Sequence, residues 1–160
     1  MSKLVKPQAG QEIYDPTVGS GGFLIQSYQY LEEQGENPND LALYGQDSNG
    51  TVWSICIMNM ILHNITRFTI ENADTLEDPQ ILDHGQIRKF DRVLANPPFS
   101  QNYSRANMKF PSRFREYCPA MIRYLRLSPS RARNPLSSKR SHQNSRCLGS
   151  DTAVATILRQ

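Results

Sequence analysis

The chain has 160 residues, a hydrophobic share of 38%, a charged share of 21% and a formal net charge of +3. That is enough for one domain with a core of its own, and it excludes collagen-like and coiled-coil chains. The most apolar stretch, 52–62, is broken by Ser54 and Asn59; it falls short of the roughly 20 apolar residues a bilayer crossing needs, so no membrane span is expected.

In chain order, Glu12-Ile13-Tyr14-Asp15-Pro16 is a short apolar and aromatic run ending in a carboxylate and a proline, which predicts a strand that stops where a loop begins. Residues 17–22 supply three glycines in a turn. Phe23, Leu24, Ser27, Tyr28 and Leu31 then recur at three- and four-residue steps, an amphipathic helix that Gly35 closes. Leu41 to Gly45 predicts a second strand ending at Gln46-Asp47. Asn49 is the N-cap of a second helix carrying Val52, Cys56, Met60 and His63 on one side. Phe68-Thr69-Ile70 predicts a third strand, 75–86 a loop rich in Asp, Pro and Gly, and Phe90 to Ala95 a fourth strand closed by Asn96-Pro97-Pro98. Strands alternating with helices point to a parallel sheet flanked on both faces. About four strands is fewer than a complete doubly wound domain uses.

Three constellations fall at strand ends. In Asp15-Pro16-Thr17-Val18-Gly19-Ser20-Gly21-Gly22-Phe23 the glycines allow a sharp turn, bring backbone N–H groups close to a ligand and lead into a helix N-terminus. Leu24 stands where a nicotinamide-type fingerprint needs Gly or Ala, which argues against a dehydrogenase. Asp15 suits a cationic amino group or, more plainly, the capping of its own loop. Asp47, at the tip of the second strand, suits the hydroxyls of a ribose or is a solvated loop carboxylate. Asp74, after the third strand, suits an adenine amino group or a turn. In Asn96-Pro97-Pro98-Phe99, the prolines stiffen the backbone, Asn96 offers a carbonyl and Phe99 a flat ring. Such a set can hold a planar amine; it can equally be a turn with a buried phenylalanine.

Taken in that order, Asp15-Pro16-x-x-Gly19-Ser20-Gly21-Gly22-Phe23, Tyr44-Gly45-Gln46-Asp47 and Leu94-Ala95-Asn96-Pro97-Pro98-Phe99 resemble the motifs of DNA adenine-N6 methyltransferases. The resemblance is narrowest to the modification subunit of type I restriction-modification systems, and it covers roughly residues 10–118. It implies a partial Rossmann-like doubly wound parallel α/β sheet and S-adenosyl-L-methionine as methyl donor. The loop from Asp15 through Pro16, Gly19, Ser20, Gly21 and Gly22 to Phe23 would surround the methionine part, Asp47 the ribose and Asp74 the adenine. Asn96 and the Pro97 carbonyl, stiffened by Pro98, would accept hydrogen bonds from the amino group of an adenine flipped out of DNA, with Phe99 stacked on the base. The implied partners are DNA, a specificity subunit and a restriction subunit; no metal is implied.

Charge divides the chain near Cys118. Residues 1–118 hold ten Lys/Arg and fourteen Asp/Glu, a net of −4; residues 119–160 hold eight Lys/Arg against Asp151, a net of +7. That tail has seven serines and three prolines without helical or strand periodicity, so we expect two parts: 1–118, a partial catalytic domain, and 119–160, a basic Ser/Arg-rich extension. A DNA-gripping arm, an inert disordered extension and an out-of-frame continuation all fit that composition. The out-of-frame version is preferred, because the family's later strands have no counterpart there; separately, the family's upstream Phe-x-Thr-Pro-like segment, which helps close the cofactor pocket, has no counterpart in the dozen residues before the first strand. The expectation is a truncated copy, inactive by itself. Met1 to Pro7 lack the apolar core of a secretory signal, which makes the cytoplasm the expected compartment. Cys56, Cys118 and Cys147 are odd in number and widely spaced, which favours neither a disulfide framework nor a zinc site.

Three alternatives stay open. A protein glutamine N-methyltransferase shares the Asn-Pro-Pro logic, although that group usually places Tyr where Phe99 stands. A non-enzymatic DNA-associating remnant predicts steeply salt-dependent binding without cofactor affinity. A third is a product that misfolds through exposed strand edges.

Overall fold

The computed structural model describes residues 6–96 and 107–110. In chain order the elements are β1 (Glu12–Asp15), α1 (Gly22–Glu33), a 3-10 turn (Pro38–Asp40), β2 (Ala42–Asp47), α2 (Gly50–Leu62), β3 (Phe68–Asn72), β4 (Leu82–Asp83), β5 (Gln86–Ile87) and β6 (Arg92–Val93). Four strands form one sheet of order β3-β2-β1-β6 with every pair parallel. The chain steps outward from β1 through β2 to β3 and then returns to the far side of β1. This reversal opens a crevice beyond the carboxyl ends of β1 and β6.

Register sets the two faces. Ile13 pairs with Leu43, Leu43 with Phe68 and Gly45 with Ile70. Ile13, Leu43 and Ile70 form one core cluster with Leu24, Ile25, Tyr28 and Leu31 of α1 and with Cys56 and Met60 of α2. Both described helices therefore cover the same face, as right-handed crossovers in one direction require. On the opposite face, Tyr14 stacks on Phe90 at 4.6 Å between ring centroids, Phe90 lies 5.2 Å from Tyr44, and the Arg88 guanidinium sits 4.7 Å over Tyr44 while pairing with Glu12 at 2.6 Å.

The local signals worked where their causes were local. Asn49 caps α2, accepting at its side chain from the Thr51 and Val52 N–H groups. Gly35, at φ 74°, follows the end of α1 as a left-handed residue. The second strand ends at Asp47 as expected, but β3 runs on past Ile70 to Asn72, because a parallel ladder joins Gln46 to Glu71 and Asp47 to Asn72. The fourth strand shortens to Arg92–Val93, with ladder hydrogen bonds from Asp91 N–H to Glu12 O and from Leu94 N–H to Tyr14 O on either side. The segment expected as plain loop contains the β4–β5 hairpin, turned by His84 and Gly85, both with positive φ. In α2 the expected side is half right: Cys56 and Met60 are buried, but His63 is exposed. The helix is apolar nearly all round, with Ile55, Met58, Ile61 and Leu62 exposed, so periodicity marked its packed side poorly.

Pro97, Pro98, Phe99 and residues 111–160, including the expected division at 118, lie outside the described residues. Among the described residues no helix is long and apolar enough to cross a membrane.

Candidate active site

The glycine loop between β1 and α1 rests on four hydrogen bonds from other parts of the chain. Val18 N–H donates to the Gln46 carbonyl at 3.1 Å. Gly19 N–H donates to Asp47 Oδ2 at 3.1 Å. The Asn59 side chain of α2 donates to Ser20 O at 2.9 Å, and Thr75 Oγ1 donates to Pro16 O at 2.6 Å. At Gly21, φ is 85° and an added Cβ would come within 2.5 Å of Met60 Cε and 3.0 Å of Cys56 Sγ, so only glycine lets the loop close onto α2. Gly21 is also the cap position of α1 and carries no side-chain cap, which leaves the helix N-terminus facing the crevice with its dipole. An added Cβ at Gly22 would meet nothing within 4 Å.

Three carboxylates line the strand tips. Asp15 is 1% exposed, and its Oδ1 accepts from Thr17 N–H at 2.9 Å and from Thr17 Oγ1 at 3.4 Å. Burial pushes its carboxyl up to about 7 from an ordinary 3.8; the Thr17 bonds oppose the rise, and the nearby Asp47 charge adds to it. Asp47 uses one oxygen for Gly19 and the other for the Asn49 N–H at 2.9 Å, so it fixes both the glycine loop and the start of α2. Asp74 Oδ1 accepts from the N–H groups of Leu76 and Glu77, an Asx turn that orders the loop after β3. Burial pushes the Cys56 thiol up to about 12, with the Asp15 and Asp47 charges adding, so this cysteine is an inert packing group beneath the loop.

Asp15, Pro16, Gly19, Ser20, Gly21, Gly22, Phe23, Asp47 and Asp74 thus come from the tips of three adjacent strands. Asn96 follows β6 and is exposed at the far side of β1. Sequence reasoning missed the polar side chains that hold the walls: Gln46, Asn59, Thr75 and Asn72, whose Nδ2 donates to Asp47 O at 2.9 Å. The one available signal was Gln46, an uncharged polar residue at the end of an otherwise apolar strand.

The family model for N-6 DNA methylase matches residues 1–124. The chain belongs to the N-6 DNA methylase family. Among curated relatives of this N-6 DNA methylase chain, the Type I restriction enzyme HindI methylase subunit of Haemophilus influenzae is 36% identical over 99 residues, 61% of this chain and 21% of the relative. The Type I restriction enzyme MpnII methylase subunit of Mycoplasma pneumoniae is 34% identical over 120 residues, 69% of this chain and 22% of the relative. The chain therefore spans about a fifth of the length of these relatives. A solved type I restriction-modification system methyltransferase subunit from Streptococcus thermophilus superposes with a TM-score of 0.58 at 30% identity, covering 72% of this chain and 24% of that one. The sheet and its helices are those of the S-adenosylmethionine-dependent methyltransferase fold.

Proposed function

We propose that this chain forms the methyl-donor side of an adenine-N6 DNA methyltransferase from a type I restriction-modification system, with residues 1–118 as its part of the catalytic domain. The observation that carries this reading is the pairing of two carboxylates, buried Asp15 and loop-anchoring Asp47, around an uncapped helix N-terminus at the point where the strand order reverses. S-adenosyl-L-methionine supplies an electrophilic methyl group on a sulfonium when bound.

The residues fit that ligand by charge and shape. Asp15, held in a site that disfavours its own charge, gains most from a cationic neighbour, which suits an α-ammonium group. The start of α1 suits a carboxylate, and the open space at Gly22 leaves room for it. Pro16, Gly19, Ser20, Gly21 and Phe23 complete that wall. Each Asp47 oxygen accepts one backbone N–H and keeps a further lone pair, so the carboxylate can also accept from ribose hydroxyls. Among the described residues Asp74 Oδ2 accepts no hydrogen bond, which suits an exocyclic amine.

Across β1, Asn96 offers its side-chain carbonyl to the amino group of the target base. In this reading the Pro97 carbonyl is the second acceptor, with Pro98 beside it in sequence and Phe99 as the ring that stacks on the base. Two acceptors orient the amine, and orientation supplies much of the rate of such a reaction. DNA is the substrate, a specificity subunit and a restriction subunit are the partners, and the cytoplasm is the site of action.

Calorimetric titration of the purified chain with S-adenosyl-L-methionine tests the reading, with Asp47→Ala as control. Saturable binding that the variant loses is expected. No heat of binding from a chain with native circular dichroism would sink it.

A further inference from the structure

Gln46 is fully buried, yet its side chain bonds neither to the sheet nor to a helix. Its Nε2 donates to Ala73 O at 3.2 Å and to Asp78 O at 3.0 Å, and its Oε1 accepts from Gln80 N–H at 3.1 Å. A carboxamide has two protons to donate and two acceptor lone pairs. Three of those four positions are committed to one segment, the loop of residues 73–80 that follows β3.

The backbone of the same residue does a different job. The Gln46 carbonyl accepts the Val18 N–H of the glycine loop, and the next residue, Asp47, accepts the Gly19 N–H. One strand position thereby sets the height of both walls of the crevice, the glycine loop through its main chain and the Asp74 loop through its side chain. Thr75 joins the two walls directly through its bond to Pro16 O. A buried carboxamide is costly unless its hydrogen bonds are made, and an apolar side chain of equal size would fill the same space in a strand without that demand. The sheet does not need glutamine at this position; the loop does.

We infer that Gln46 is a positioning residue: its carboxamide clamps the 73–80 loop so that Asp74 stands at the crevice edge at a fixed distance from the glycine loop. The inference rests on the reading of the crevice as a nucleoside-binding site, with Asp74 on the purine side. It makes the length and donors of the residue before Asp47 a determinant of affinity rather than of folding.

The test combines ligand titration with amide hydrogen exchange on the full chain. Gln46→Met keeps side-chain length and removes all three bonds. Trp53, the single tryptophan, donates its indole N–H to Ile70 O at 2.9 Å and reports through its emission whether the sheet and α2 are intact. The expected result is native Trp53 emission, faster exchange confined to amides 74–80, unchanged protection at Ile13 and Leu43, and roughly tenfold weaker binding of S-adenosyl-L-methionine. In the Gln46→Met/Asp74→Ala double variant the loss should match that of the more damaging single change, because both act through one contact. Binding by Gln46→Met as tight as the native chain, or a double variant losing the product of the single effects, overturns the inference. Should Gln46→Met fail to fold, Gln80→Pro removes one of the three bonds at an exposed loop position, with Gln80→Ala as the control for the Gln80 side-chain bonds to Asp78; weaker binding by Gln80→Pro than by Gln80→Ala supports the clamp and equal binding overturns it. If the native chain itself binds no S-adenosyl-L-methionine, the nucleoside reading fails and the positioning role falls with it, whereas opening of 74–80 in the variant still identifies the clamp as a structural device.

Discussion

Gly19 and Asp47 stand 28 residues apart in sequence and meet at the crevice, where the glycine amide donates to the carboxylate at 3.1 Å. The second oxygen of Asp47 holds the Asn49 N–H, so one side chain carries both the loop after β1 and the entry to α2. Asp47→Ala removes two hydrogen bonds to a charged acceptor, each worth about 1.5–3 kcal/mol, with water recovering part of the loss at this half-buried site. A net destabilisation of about 2 kcal/mol is expected in urea unfolding, together with loss of donor binding.

Asp15 gives the chain a pH dependence of unusual sign. Its carboxyl titrates near 7 in the folded chain and near 3.8 when unfolded, so between those values the native state holds the extra proton. Stability contributed through this group therefore falls as pH rises from about 4, and the decline levels off above about 7. The full difference is on the order of 4 kcal/mol. Asp15→Asn keeps an acceptor for the Thr17 N–H and carries no charge. Its melting temperature is expected to exceed that of the native chain at pH 8 and to match it at pH 4, while its affinity for a cationic ligand drops. Equal melting curves at both pH values would contradict the assignment.

Neighbouring glycines separate folding from binding. Gly21→Ala places a Cβ at positive φ and against Met60 and Cys56, which costs about 1–3 kcal/mol. Gly22→Ala meets open space at the first turn of α1 and should leave the urea midpoint unchanged or slightly raised. If the crevice holds the methionine part of the donor, Gly22→Ala still weakens binding, because the new methyl group enters the space the ligand occupies. A Gly22→Ala chain that binds normally would move the ligand away from the start of α1.

Asn49→Ala tests the helix entry alone. The side chain satisfies the Thr51 and Val52 amides, while its own N–H remains available to Asp47. A loss of about 1 kcal/mol without a change in donor affinity is expected from paired unfolding and titration experiments.

The strand-loop-helix order was readable because its causes are short-range. Asn49 announces its cap, Gly35 its turn, and Ile13, Tyr14 and Asp15 a strand ending in a carboxylate. Strand ends were less readable: Glu71 and Asn72 join β3 only because Gln46 and Asp47 lie beside them in the ladder, a contact between distant segments. The β4–β5 hairpin escaped because its strands are two residues long and carry no alternation. Asp15, Asp47 and the glycines could be placed at the strand tips and in the loop after β1 from motif and strand position. Thr75 and Asn59 could not, and Gln46 showed only as an uncharged polar residue ending an apolar strand, since the side-chain partners of these three lie 27 to 59 residues away in sequence.

The most direct test of the central claim is a map of backbone amide shifts of the isotope-labelled chain titrated with S-adenosyl-L-methionine. Saturable shifts are expected at Gly19, Ser20, Gly21, Gly22, Phe23, Asp47 and Asp74, with the exposed side of α2 at Ile55, Met58 and Leu62 unmoved. Saturable shifts centred on α2 with an undisturbed glycine loop, or none at all in a folded chain, would contradict that claim.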